Sequence, residues 1–207
     1  MKYGFLPKGV WLVFHRSFEK QLSLMTVDAP GALMGKAHET YRGILADIPD
    51  FDRDDRFLVN ILSAAMLAAV YLNLRENPTL DAVTAYYHKA MTGSRVMRLF
   101  LKRQDQYSGK AQAKLARQAK ASQKRSNPYT WQFCYEAGPD QNSYSAYFDT
   151  CGILHLLQKL GISEITPAMC SYDYDMAELV GSVFTREHTL AGGGPCCDCH
   201  YKKRGEE

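Results

Sequence analysis

The chain has 207 residues, of which 46% are hydrophobic and 23% are charged, with a formal net charge of +3 at neutral pH. Such a chain can bury a core, and its length favours one domain over residues 1–207 rather than two. A net charge this small gives no reason by itself to expect a nucleic-acid partner.

Two apolar stretches bear on where the protein resides. Residues 10–14 are too few for the hydrophobic region of a secretory signal, and His15 and Arg16 follow them directly. Residues 61–74 fall short of the roughly 20 residues that a membrane span needs, so we predict a buried core helix there. We therefore expect a cytoplasmic protein with no membrane partner, in which the six cysteines are thiols.

The first 125 residues are predicted to be mainly helical. Apolar spacings of three and four predict helices over residues 14–24, 36–45 and 56–73, and Pro30, Gly31 and Gly35 interrupt the first pattern. Thr79 or Asp81 can cap another helix, after which a basic segment begins.

The basic segment, residues 95–125, carries ten Lys and Arg side chains and a single acidic one, Asp105. Such a segment could contact an anion. It holds no nucleic-acid-binding motif and few aromatic residues that could stack on bases, so a solvated helix face is the favoured interpretation and no nucleic-acid partner is expected.

Strands are predicted beyond the turn at residues 126–128. Residues 130–136 and 143–149 alternate around a Gly-Pro-Asp turn and predict an antiparallel hairpin. A helix over residues 151–160 follows, Thr166 and Pro167 cap and begin another, and residues 183–190 with 197–201 predict a last hairpin. The predicted fold class is α+β, with a helical N-terminal half packed on a small antiparallel sheet in residues 126–203.

Cys151 follows a predicted strand and opens a predicted helix. Free backbone N–H groups and the helix dipole at such a position favour a thiolate, which suits a nucleophile, although from this position alone a small buried residue is the favoured interpretation. Cys170 and Asp173 are three residues apart and would share a helix face. His155, one turn beyond Cys151, is either a site residue or part of a helix face.

Residues 186–200 combine a glycine-rich turn with three cysteines, two histidines and an aspartate. Cys and His are the preferred ligands of zinc, but the paired C-x-x-C pattern of a structural site is missing. Alternation along a strand sends Cys197 and Cys199 to one face and Cys196, Asp198 and His200 to the other, so all five cannot bind one metal.

The ordered set Thr150-Cys151, Cys170-x-x-Asp173, Arg186-x-His188-Thr189-Leu190-Ala191-x-Gly193 and Cys197-Asp198 resembles the L-2-amino-thiazoline-4-carboxylic acid hydrolase family. The resemblance covers residues 130–201. The chain departs from the family pattern at Cys199, where an aromatic residue is usual, and Cys196 is also additional.

The resemblance implies hydrolysis of a cyclic isothiourea, L-2-amino-thiazoline-4-carboxylate, on a bacterial route to cysteine. It implies Cys151 as nucleophile and Asp173 or Asp198 as acid/base, with Cys170 and Cys197 in the same site. His188 would be a proton shuttle, Arg186 would bind the substrate carboxylate and Thr189 would also contact the substrate.

Several alternatives remain open from the sequence. Water activated by a divalent metal, zinc or manganese, could replace the thiolate, or no cofactor is needed. The same cysteine-lined pocket would also suit a non-catalytic sensor of a small ligand or metal. Four tyrosines of the helical half are either pocket walls or plain core: Tyr41, Tyr71, Tyr86 and Tyr87.

Overall fold

The structure, a computed structural model, describes residues 1–52 and 54–205. Over these residues the chain forms eight α-helices and four strands in the order α1 (Phe5–Gln21), α2 (Pro30–Ala46), α3 (Leu58–Tyr71), α4 (Leu80–Thr92), α5 (Arg95–Lys102), α6 (Gly109–Ser122), β1 (Phe133–Ala137), β2 (Ser143–Phe148), α7 (Gly152–Lys159), α8 (Thr166–Leu179), β3 (Ser182–Thr185) and β4 (Cys197–Lys203). No helix in the described part is both long and apolar enough to cross a membrane.

Helix α3 lies at the centre of the core, as its sequence predicts. Every residue from Ile61 to Tyr71 is buried, because a helix that is apolar all round is stable only with neighbours on every side. It packs against α2 and α7, and so joins the helical half to the sheet-bearing half.

The first two helices begin earlier than predicted. Helix α1 starts at Phe5 rather than at residue 14, and its buried face includes Val10 and Trp11. Helix α2 starts at Pro30 rather than at residue 36. A proline in the first helical turn lacks only an N–H that would have no partner there, so Pro30 begins the helix instead of breaking it.

Two predicted caps have different outcomes. The hydroxyl of Thr79 accepts a hydrogen bond from the Ala82 N–H at 3.3 Å and caps α4, as expected. Thr166 does not cap α8: it is the first residue of that helix, and its hydroxyl donates to the Ser163 carbonyl oxygen at 2.7 Å. A Ser163–Ile165 turn in front of α8 supplies the acceptor.

The four strands form one antiparallel sheet in the order β1-β2-β4-β3, which confirms the α+β class. Cys197 pairs with Phe148 and Cys199 with Ala146, so both cysteines lie on the inner, helix-covered face. The last hairpin differs from its prediction because β3 ends at Thr185 rather than at residue 190.

Candidate active site

Cys151 is held at the junction of the sheet and α7. The Gln132 N–H donates to the Thr150 hydroxyl at 2.7 Å, which extends the β1–β2 hairpin as far as the cysteine. Cys151 then caps α7, and its Sγ accepts a hydrogen bond from the Leu154 N–H at 3.4 Å. The next residue, Gly152, lies against the backbone of Tyr129 so closely that a Cβ would be 2.0 Å from the carbonyl oxygen.

A cleft of about 400 Å³ opens beside Cys151. The ring of His155 meets that of Tyr129 edge to face at 4.7 Å between centroids. The polar side chains that line the cleft come from the segment after α6, from the residue before β1, from the end of β2 and from α7. They are Arg125, Ser126, Asn127, Gln132, Asp149, Thr150, His155 and Gln158.

On the inner side of the site, α8 presents Asp173 to Arg186. The Arg186 Nη1 donates to Asp173 Oδ2 at 2.7 Å and Nη2 donates to the Cys170 carbonyl oxygen at 2.8 Å. The guanidinium also lies 5.2 Å from the Phe184 ring centre, and its charge opposes the rise in the pKa of the Cys199 thiol. Only 6% of the arginine side chain is exposed, whereas 31% of the Asp173 side chain is exposed, so the guanidinium is buried and the carboxylate is half-buried.

Burial keeps the cysteines of the site protonated at neutral pH. Desolvation raises the pKa of Cys151 to about 11 and that of Cys170 and Cys199 to about 12. Negative charge on Cys197 and Asp173 would oppose ionisation of Cys151 further. Cys197 accepts a hydrogen bond from the Leu190 N–H at 3.3 Å, but burial still raises its pKa. These groups influence one another electrostatically and form one thiol cluster around Asp173.

The two carboxylates of the site have opposite environments. Burial raises the pKa of Asp173 although Arg186 opposes this. Asp198 also loses solvation, but it accepts hydrogen bonds from the backbone N–H groups of Glu187 and His188, which together lower its pKa. The site therefore favours the neutral form of Asp173 and the anionic form of Asp198, each relative to an aspartate in water.

The structure separates some of the residues that the sequence placed in one site. Asp198 lies on the outer face of β4, where its carboxylate holds the segment after β3 and is 3.6 Å from His200 Nε2. The His188 side chain is exposed. Thr189 accepts the Gly192 N–H at 2.9 Å and so caps the turn Leu190–Gly192.

This separation has a direct consequence for metal binding. Within residues 1–52 and 54–205, no three His, Cys, Asp or Glu side chains are arranged to hold a metal ion. The strand alternation predicted from the sequence is confirmed, since Cys197 and Cys199 face inwards while Asp198 and His200 face outwards.

The cleft contains residues that the sequence did not assign to the site. Arg125 was counted in a solvated basic face, but its side chain is only 6% exposed and lies near Asp52, Asp54 and Asp55. Of the two interpretations open for the four tyrosines, plain core is confirmed, since they are at most 5% exposed. Local patterns could not reveal the burial of Arg125, since it depends on contacts between distant segments.

The fold and the site define an α+β protein with a thiol at a helix N-terminus, beside an ion pair between a half-buried carboxylate and a buried guanidinium. Residues 59–201 match the family described as L-2-amino-thiazoline-4-carboxylic acid hydrolase, and the chain belongs to this family. The match includes every candidate residue from Cys151 to Asp198, and the family name implies hydrolase activity. No curated protein and no solved structure matches the chain.

Proposed function

We propose that this protein is a hydrolase that opens a small cyclic amidine such as L-2-amino-thiazoline-4-carboxylate, with Cys151 as the nucleophile. The observation that carries the proposal is the position of the Cys151 thiol, at the N-terminus of α7 and on the wall of a cleft of about 400 Å³. Membership of the family supports the choice of substrate.

The electrostatics of the site favour a cationic substrate. Because the pKa of Cys151 is about 11, the free protein holds almost no thiolate at neutral pH. A protonated amidine carries a positive charge, and such a charge beside the thiol lowers its pKa. Asp149 on the cleft wall can hold the amidinium. Binding of a protonated amidine would then generate the Cys151 thiolate, whereas binding of a neutral ring would leave Cys151 as a thiol.

The reaction is balanced without a cofactor. The Cys151 thiolate adds to the amidinium carbon, and the ring bond from that carbon to sulfur or nitrogen breaks, with the leaving atom taking up one proton. Water then attacks the same carbon, breaks its bond to the cysteine and restores the thiol. The product is the N-carbamoyl derivative of cysteine if the carbon–sulfur bond breaks, and the S-carbamoyl derivative if the carbon–nitrogen bond breaks.

Asp173 is the proposed acid/base of this sequence. Its raised pKa allows it to exchange a proton near the thiol cluster, and its ion pair with Arg186 holds it in place. The outer face of β4 has a supporting role in the proposal. There the Asp198 carboxylate accepts the His188 N–H and so fixes the segment that brings Leu190 to the cleft wall.

The test is incubation of the reduced protein with L-2-amino-thiazoline-4-carboxylate, with detection of the ring-opened product by mass spectrometry. A thiol reagent identifies the broken bond, because only carbon–sulfur cleavage releases a free thiol. Cys151→Ala should lower turnover by at least about a thousandfold. Cys134→Ala, which removes an exposed thiol on the outer sheet face, is the matched control and should change nothing.

Full turnover by Cys151→Ala would refute the nucleophile. Turnover that disappears with a chelator and returns with zinc or manganese would favour metal-activated water instead. Binding of the compound without any product would indicate a sensor module.

A further inference from the structure

The proposed substrate carries a carboxylate as well as an amidinium, and the arginine predicted to bind it is already engaged. The Arg186 guanidinium donates hydrogen bonds to Asp173 and to the Cys170 carbonyl oxygen. Only 6% of its side chain is exposed, and it is not among the residues that line the cleft beside Cys151. A cation on the cleft wall would be better placed for the substrate carboxylate.

Arg125, just after α6, is the one residue with a permanent positive charge among the described residues that line the cleft. Arg125 lines the same cleft as Cys151, although the two residues belong to different elements of the fold. Its side chain is 94% buried, since only 6% is exposed. Guanidinium groups are well suited to carboxylates because they offer paired N–H donors in a plane.

The present partners of Arg125 hold it loosely. Its nitrogens are 3.9 Å from Asp52, 3.5 Å from Asp54 and 3.7 Å from Asp55. A charge-assisted hydrogen bond is about 2.7–2.9 Å long, and the Arg186–Asp173 contact in the same protein is 2.7 Å. Arg125 therefore has ion-pair neighbours but none at the distance of a strong hydrogen bond among the residues described.

Two of these three carboxylates can leave. The side chains of Asp52 and Asp54 are 73% and 74% exposed, so water can solvate them when they turn away. Asp55 is only 2% exposed and stays, because it accepts the Phe57 N–H at 2.9 Å and the Thr130 hydroxyl. One fixed carboxylate keeps Arg125 in place while the other two compete for it.

We infer that Arg125 binds the carboxylate of the substrate, and that Asp52 and Asp54 occupy it until the substrate arrives. The inference rests on the proposed function for the ring-opening step and narrows the substrate class to small amidines that carry a carboxylate. The zwitterion would lie across the cleft, with its cationic carbon at Cys151 and its anionic group at Arg125.

The experiment compares two alkylating reagents of similar size, anionic iodoacetate and neutral iodoacetamide, on the native protein at pH 9. Peptide mass spectrometry measures the modification rate at Cys151 alone, and the readout is the ratio of the iodoacetate rate to the iodoacetamide rate. In Arg125→Gln this ratio should fall by about threefold or more, as expected for loss of a nearby charge. Arg125→Lys should retain most of it.

Two further variants separate binding from a merely structural role. The double substitution Asp52→Asn with Asp54→Asn removes the competitors and should raise the ratio. Arg95→Gln removes an exposed positive charge on α5 and should leave the ratio unchanged. A structural tether would give no opposite effects in Arg125→Gln and the double variant.

An unchanged ratio in a folded Arg125→Gln protein would overturn the inference. If that variant does not fold, an unchanged ratio in the double aspartate variant overturns it in the same way. Failure of both reagents to reach Cys151 would also overturn it, because the cleft would then not admit a small anion. The readout needs no turnover, so a lack of ring-opened product would defeat the proposed function alone.

Discussion

The helical part, residues 1–125, and the sheet part, residues 126–205, treat their buried polar groups differently. In the helical part, His38 accepts or donates one hydrogen bond with the Tyr3 hydroxyl at 2.6 Å and stacks on Trp11. His88 is 2.8 Å from Asp175 and 3.0 Å from the Ser171 hydroxyl, and so fastens α4 to α8 of the sheet part. These contacts dock helices.

Burial opposes the charged forms of groups in both parts, such as Tyr86 in the helical part, but in the sheet part it acts on several thiols that surround one carboxylate. The thiols of Cys151, Cys170 and Cys199 have raised pKa values, and each is influenced by Asp173. Burial and like charges of this kind do not stabilise a fold, but they are typical of sites that exchange protons. The comparison teaches that the chemistry is separated from the framework, and four predictions test this separation.

The largest expected effect is the loss of stability when the Arg186–Asp173 ion pair is broken. Asp173→Asn should lower the free energy of unfolding by about 2–3 kcal/mol, because the buried Arg186 charge would lose its counter-charge. Asp175→Asn, in the more accessible contact with His88, should cost about 1 kcal/mol or less. Urea unfolding of the two variants at pH 7 measures both. Equal losses would show that the two ion pairs do not differ in this respect.

The second prediction concerns the reactivity of Cys151 in the free protein. Because its pKa is about 11, its thiolate fraction should grow through the whole range from pH 7 to pH 9. The iodoacetamide rate at Cys151 should therefore rise about tenfold per pH unit. A rate that levels off within this range would show that the thiol is already ionised without substrate.

A smaller effect is expected from the outer face of β4. The pKa of Asp198 is lower in the folded protein than the ordinary aspartate value of about 3.9. Its contribution to stability is therefore present above that value and is lost as the pH falls through the lower, folded pKa. Asp198→Asn should cost about 1 kcal/mol at pH 6. The difference between variant and wild type should shrink near pH 3, and urea unfolding at both pH values checks this.

The smallest effect is expected at Tyr86, which differs from the hydrogen-bonded polar groups of the helical part described above. Its buried hydroxyl has no hydrogen-bond partner among the residues described. Tyr86→Phe should leave stability unchanged or increase it by up to about 1 kcal/mol. Tyr41→Phe is the matched variant: it removes a hydroxyl that donates to the Pro7 carbonyl oxygen at 3.3 Å, and it should destabilise. Thermal unfolding compares them.

Local pattern predicted much of this molecule. The all-apolar run of α3, the cap at Thr79 and the strand alternation at Cys197 and Cys199 each follow from one stretch of chain. The position of Cys151 at a helix N-terminus was also local, since it needs only a strand, a turn and a helix in sequence.

What could not be predicted depends on distant partners. The chain leaves β3 at Thr185 because Asp198, from the following strand, binds the backbone N–H groups of residues 187 and 188. Arg125 is buried rather than solvated because a segment about 70 residues earlier supplies carboxylates beside it. Residue type and spacing do not encode such contacts.

Because Gly152 lies so close to Tyr129, we expect positions 151 and 152 to tolerate different substitutions: folding constrains position 152, and catalysis constrains position 151. A library sorted only for folded protein should accept several residues at position 151, because Ser, Thr, Asp and Asn all cap helices well. At position 152 it should accept little but glycine, since any Cβ would strike the Tyr129 carbonyl. A library sorted for turnover should accept neither change. Inherited variation at these neighbours would then record, one residue apart, what folding demands and what chemistry demands.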